Sequence, residues 1–324
     1  VVVREHHPRV VAIGGGTGLS AVLRGLKHFP VEITAIVTVA DDGGSSGKLQ
    51  REFRMPPPGD IRNVLVSLSE AESVISDLLQ FRFATEEEHY LDGHSLGNLL
   101  IYAMYSLTHG DFVQAIENMG TVLNIKGRVY PVSPVATVLK AELLDGRIVT
   151  GESQLATQGS PIRRVFYDAP VTAVPAAVQA IRDADVIVFG PGSLYTSVLP
   201  NILLPEIAAA IEGNIHADKV YVCNIMTEAG ETDGYSAADH LQALAEHGLS
   251  PVCKIIVNDE AIPEHVLARY RAENATVVRN DFERLEALGV QVIRSRIASF
   301  TDGIVRHDPI KTAASVYAIA LDRL

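Results

Sequence analysis

A glycine run set between two apolar stretches constrains this chain more than any other feature. Val10, Val11, Ala12 and Ile13 make a short buried strand, and Gly14-Gly15-Gly16-Thr17-Gly18 follows at once. Leu19, Val22, Leu23 and Leu26 then recur at helical spacing. Glycines let the backbone turn with positive φ and approach a ligand closely. A helix that begins there aims its free N–H groups and its positive dipole end into the turn, where an anion is favoured. The turn is not the dinucleotide fingerprint, because the third glycine position counted from Gly14 holds Leu19. NAD is therefore a weak reading. It is not a Walker loop either, since no Gly-Lys-Ser/Thr follows.

The rest of the chain alternates in the same way. Residues 33–39 are β-branched and apolar, as in a parallel sheet covered on both faces. They lead into Asp41, Asp42 and the Gly/Ser stretch Gly43-Gly44-Ser45-Ser46-Gly47, which reads as a flexible loop at a strand end. Ligands of doubly wound sheets bind beyond the carboxyl ends of the strands. A carboxylate there suits a ribose hydroxyl or Mg2+ on a phosphate, while plain Asx-turn chemistry is the bland alternative. After three prolines, Asp60 either caps a helix over 61–68 or is presented with Arg62 and Asn63 to the same site.

Gly93-His94-Ser95-Leu96-Gly97 has the letters of a nucleophile elbow but lacks the buried strand that must precede one. Ser95 reads better as a helix N-cap, with Asn98 near a ligand. An acidic stretch at Glu86, Glu87 and Glu88 reads as a solvated loop. Residues 129–166 break the rhythm. A hairpin around Asp145-Gly146 suggests an antiparallel excursion inserted in the parallel pattern.

Strand 185–189 then opens a second glycine turn, Gly190-Pro191-Gly192-Ser193-Leu194-Tyr195-Thr196, which brings three hydroxyls to a nest-like loop. Two such units predict two walls of one crevice. Asn224 stands at the end of the next strand, on the ligand side of a parallel sheet. Further strands are expected at 254–257, 276–278 and 290–293, and a last helix from Pro309, capped by Asp308.

Composition bounds the partners. Lys and Arg number 27 against 39 Asp and Glu, a net charge of −12, which argues against nucleic acid and anionic membranes. Cys223 and Cys253 sit in apolar runs and read as reduced thiols. No apolar stretch has the length of a membrane span, and the first residues lack the apolar core of a signal peptide, so the expected location is the cytoplasm. The length allows one large α/β domain over 9–324, preceded by a disordered extension over 1–8. The fold class is a doubly wound, mostly parallel sheet with the antiparallel insertion.

The ordered set of motifs resembles a known family. Gly14-Gly15-Gly16-Thr17-Gly18, the stretch from Val37 to Gly47, Pro58-Gly59-Asp60-Ile61-Arg62-Asn63, Gly93 to Asn98, Gly190 to Ser197 and Gly230 to Tyr235 are similar to those of the gluconeogenesis factors, YvcK-like proteins of the CofD-like superfamily. The resemblance implies a Rossmann-like fold and binding of UDP-sugars, notably UDP-N-acetylglucosamine. It implies a regulatory role in cell shape, envelope synthesis and growth on gluconeogenic carbon sources. It also implies ligand contacts at Tyr270 and Arg306. A regulatory protein partner and a homo-oligomer are expected. The CofD-type enzymes of the superfamily move a phospholactyl group onto a deazaflavin precursor with Mg2+. Their metal carboxylates correspond to Asp41 or Asp42 and to Asp60, so the alternative is a Mg2+-dependent transferase.

Overall fold

The computed structural model describes residues 7–71, 73–84, 90–155, 159–249, 252–301 and 303–322. The extension expected before residue 9 falls mostly outside them, as does the acidic stretch 86–88. The strands in chain order are β1 (Arg9–Gly14), β2 (Glu32–Val37), β3 (Arg128–Pro131), β4 (Leu139–Leu143), β5 (Ile148–Thr150) and β6 (Ile162–Tyr167). They continue with β7 (Val186–Phe189), β8 (Asp218–Val222), β9 (Lys254–Asn258), β10 (Gln291–Ser295), β11 (Ala298–Thr301) and β12 (Ile304–His307).

Seven strands form one parallel sheet in the order β10-β9-β8-β7-β1-β2-β3. The chain starts in the middle at β1, moves outward through β2 and β3, then returns to the other side of β1 with β7. The order therefore reverses between β1 and β7, which pair from Val10↔Val186 to Ile13↔Phe189. Apart from Arg9, their apolar sequences follow from that central place: every residue of β7 is buried, and all of β1 after Arg9. This is a Rossmann-like α/β fold, with its topological switch point between the two strands that carry the glycine turns.

The antiparallel excursion is a three-stranded sheet in the order β5-β4-β6. It starts later than residue 129, because β3 belongs to the parallel sheet and pairs with β2. Its inward residues Leu139, Ala141, Leu143 and Val165 join the same apolar cluster as the main sheet. Residues 276–278 form only an isolated bridge, Met226↔Val277, and not a strand. The β11–β12 hairpin was not legible in the sequence. It rests on a small separate cluster of Ile225, Val266, Ala298 and Val305. The last helix, Pro309–Leu321, has Asp308 as its cap, accepting from the Lys311 N–H at 2.9 Å. Among the described residues no single helix is long and apolar enough to cross a membrane.

Candidate functional site

The two glycine turns meet backbone to backbone at the switch point. Gly15 is extended, Gly16 has φ 65°, and the helix Gly16–Leu26 starts with no side-chain cap. A Cβ on Gly18 would lie 2.6 Å from the carbonyl oxygen of Pro191, and one on Gly192 would lie 3.3 Å from that of Gly15. A Cβ on Gly15 would run into the carboxylate of Asp60 and come 2.7 Å from the Thr38 methyl. These are the positions where only glycine allows the approach. Thr17 is exposed, and Gly16 and Gly18 are half-buried, so the start of this helix is open.

The second turn is tied down by side chains. Gly192 donates its N–H to Asn224 Oδ1 at 3.3 Å, and Asn224 Nδ2 donates back to the Gly192 carbonyl at 3.0 Å. The Ser193 hydroxyl donates to Glu228 at 2.8 Å, and that of Thr196 to Glu231 at 3.2 Å. Tyr195 is buried, with its hydroxyl 2.8 Å from that of Tyr235. Each of the three hydroxyl residues singled out in this turn therefore has a protein partner, and Asn224 holds the turn from behind.

The carboxylates divide. Asp60 is not the N-cap, which is Pro58; it lies in the first turn of the helix Gly59–Leu68. Its carboxylate instead accepts from the backbone N–H of Gly16. Burial, reinforced by the nearby Asp41, pushes Asp60 up to about 6 despite that bond. Asp41 accepts from the Gly43 N–H at 2.9 Å and borders Gly59, where a Cβ would lie 2.9 Å from its Oδ2. Asp42 turns the other way: it accepts from the Ser153 N–H at 2.9 Å and covers Gly151, so it docks the small sheet. Gly43 and Gly44 are not a flexible loop. Gly43 is the N-cap and Gly44 the first residue of the helix Gly44–Phe53, again without a side-chain cap.

Two glutamates escaped the sequence reading. Burial first, then Asp41, Asp60, Glu231 and Asp42, push Glu152 up to about 9, and its Oε2 has no partner. Burial and Glu228 push Glu231 up to about 8. The only signals for them were their places beside Gly151 and Gly230. Among the described residues no three His, Cys, Asp or Glu side chains are grouped to hold a metal ion. Asp41 and Asp60 nevertheless line one cavity, and Mg2+ needs only one or two carboxylates when phosphate oxygens complete its shell. The donor set fits with those two residues, and Asp42 stands apart from it.

That cavity, about 220 Å3 in volume, has a cationic side. Arg62 is buried and gives Nη1 to Asn98 at 2.8 Å and Nη2 to Asn63 at 2.9 Å. Arg82 is exposed at the rim, with one N–H on the Gly93 carbonyl at 3.1 Å. Asn98 Nδ2 donates to Ser45 Oγ at 3.0 Å, and Ser45 also meets His94 Nδ1 at 3.1 Å. Burial lowers the His94 pKa, with Lys48 adding to the effect. Ser95 is fully buried and caps the helix Leu96–Leu107 through the Asn98 N–H, which makes it a scaffold residue of this wall.

Tyr270, on the helix Glu264–Ala272, packs against the far hairpin that carries Arg306. Tyr270 accepts from the Val305 N–H at 2.8 Å and so sets the strand on which the exposed Arg306 stands. The hairpin is tied to the end of β8 by His307 Nε2, 3.1 Å from the Cys223 carbonyl.

Comparison with known proteins agrees with this architecture. The family model described as 2-phospho-L-lactate transferase CofD matches residues 10–298. The gluconeogenesis factor of Bacillus subtilis (strain 168) is 50% identical over 309 residues, 95% of this chain and 96% of that protein. The gluconeogenesis factor of Halalkalibacterium halodurans is 52% identical over 309 residues, 95% of each. A crystal structure of a protein from Bacillus halodurans superposes with a TM-score of 0.92 at 51% identity, covering 95% of this chain and 99% of that one. Likeness of this extent, on a sheet whose switch point carries both glycine turns, shows that the chain belongs to the CofD family, among its gluconeogenesis factors.

Proposed function

We propose that this protein is a regulatory protein of the cytoplasm that binds a UDP-sugar, UDP-N-acetylglucosamine in the first place. The observation that carries this is the junction of the two glycine turns at the switch point, where the helix Gly16–Leu26 opens without a side-chain cap. A diphosphate laid there meets backbone N–H groups and the positive end of a helix. Asn224 keeps the second turn in register for it. Tyr270 positions the β12 strand, and Arg306 on it meets the nucleotide. Nucleotide occupancy then alters which partner or copy of the chain the protein engages, and so bears on cell shape, envelope synthesis and growth on gluconeogenic carbon sources.

Calorimetric titration of UDP-N-acetylglucosamine with and without Mg2+, followed by mass analysis of the recovered ligand, tests the reading. Saturable binding with intact ligand supports it; absence of binding overturns it. A second reading, a Mg2+-dependent transferase, is favoured by Asp41 and Asp60 sharing one cavity. Mg2+ bound there would neutralise charge on a phosphate leaving group. Asp60 would hold the ion and release the Gly16 N–H to the phosphate. Ligand recovered chemically changed, with turnover lost in EDTA and in Asp60→Asn, would select this reading. A nicotinamide absorbance in the purified protein would instead favour NAD.

A further inference from the structure

Arg62 is 5% exposed, yet among the described residues its guanidinium has no carboxylate within ion-pair distance. Its two hydrogen-bond partners, Asn63 and Asn98, are both neutral amides, and its Nε has none. Buried charges are ordinarily paired, because removing an ion from water is costly unless a counter-charge replaces the solvent. Asp60 and Asp41 help Arg62 only through space, and burial still lowers its pKa to about 10. A second cation, Arg82, lines the same cavity, and the helix Gly44–Phe53 begins on it with its first N–H groups uncapped.

These three features converge on one place in the cavity. An uncapped helix start and two arginines provide more donors than a single carboxylate readily accepts, and they match the three oxygens of a phosphate. Across the cavity, Asp41 and Asp60 accept hydrogen bonds but repel anions. The occupant therefore carries its charge at one end and hydroxyl donors at the other. The volume of about 220 Å3 admits a small metabolite.

We propose that the Arg62 pocket is a second binding site, for a small phosphate monoester bearing hydroxyl groups, separate from the nucleotide site at the glycine turns. The two sites adjoin through Asp60, which borders Gly15 on one side and lines the Arg62 pocket on the other. The phosphate sits between Arg62, Arg82 and the start of the Gly44 helix.

The test is calorimetric titration of glycerol 3-phosphate into the nucleotide-free protein, with glycerol as the control for the anion. Two variants probe the pocket. Asn98→Asp gives Arg62 an internal counter-ion in an almost unchanged shape, and Arg82→Gln removes the rim cation without disturbing buried groups. Saturable binding of glycerol 3-phosphate but not glycerol is expected, weakened about tenfold or more in each variant. UDP-N-acetylglucosamine affinity is expected to stay within about twofold of wild type in Arg82→Gln. The proposal is overturned by absence of glycerol 3-phosphate binding, or by binding indifferent to both variants. One-for-one displacement by UDP-N-acetylglucosamine also overturns it, since the pocket is then part of the nucleotide site. A protein that binds glycerol 3-phosphate as described but no UDP-sugar would sink the nucleotide reading alone.

Discussion

The two glycine turns look alike as letters and behave differently as structure. The first follows β1 and meets few side chains: the Asp60 carboxylate lies on Gly15 and accepts the Gly16 N–H, Gly16 has positive φ, and Thr17 is exposed. The second follows β7 and is buttressed from below by Asn224, Glu228, Glu231 and Tyr235. An open turn presents N–H groups, whereas a buttressed one holds its neighbour in place. The difference teaches that a glycine motif reports where the backbone must come close, not which of two close partners is a ligand.

The largest test of that contrast is pH. Unfolded glutamates lose their protons near the ordinary carboxylate range, but folded Glu231 does so near 8 and Glu152 near 9. The folded state therefore holds more protons between those limits, and stability falls as pH rises from about 5 to about 9. Each pKa unit corresponds to about 1.4 kcal/mol, so the fall is measurable in urea midpoints at the two ends. Glu231→Gln should flatten part of the slope. An unchanged slope would mean that the buttress is not protonated in the folded state.

Gly18→Ala attacks the junction itself. Its methyl would press on the Pro191 peptide, which is backbone and cannot swing away, so a loss of about 1–3 kcal/mol is expected, together with UDP-sugar binding. Wild-type stability and affinity in this variant would show that the turns do not need their close approach. Asn224→Ala removes both bonds to the Gly192 peptide and should cost about 1–2 kcal/mol by urea denaturation, with weaker nucleotide binding. If affinity holds while stability drops, the second turn is scaffold alone.

The smallest stability effects come from the hairpin and the helix residue that holds it. Tyr270→Phe loses the bond from the Val305 N–H, about 1 kcal/mol. Arg306→Ala, at an exposed position, should change stability by no more than about 0.5 kcal/mol while clearly weakening UDP-N-acetylglucosamine. Full affinity in Arg306→Ala would remove the hairpin from the nucleotide site.

Much of the fold was legible in advance because local chemistry and tertiary demand agree there. The apolar runs of β1, β2 and β7 admit little other than buried parallel strands, and the glycines after β1 and β7 mark turns that no larger residue would fit. Ser95 and Asp308 announced helix starts through side chains that cap locally. The misreadings fall where local cues were ambiguous. Gly43 to Gly47 has loop composition, yet it begins a helix because neighbouring walls cover it. Arg128–Pro131 looks like the start of the insertion, yet it pairs with β2.

The candidate site divides in the same way. Which residues line the chain's turns follows from residue order: Gly14 to Gly18, Asp41, Asp60, Arg62 and Gly190 to Ser193 all sit next to strand ends or helix starts. Which way their side chains point does not. Asp41 and Asp42 are neighbours on the chain and face opposite partners, Gly59 and Gly151. Glu152 and Glu231 lie far apart in sequence and converge on the same crevice. The unpaired charge of Arg62 exists only because its own helix and the segment at Asn98 offer it neutral amides where it is buried. Backbone conformation is a local preference and can be read along the chain; burial, charge pairing and the distance between segments are properties of the packed molecule, and only tertiary structure supplies them.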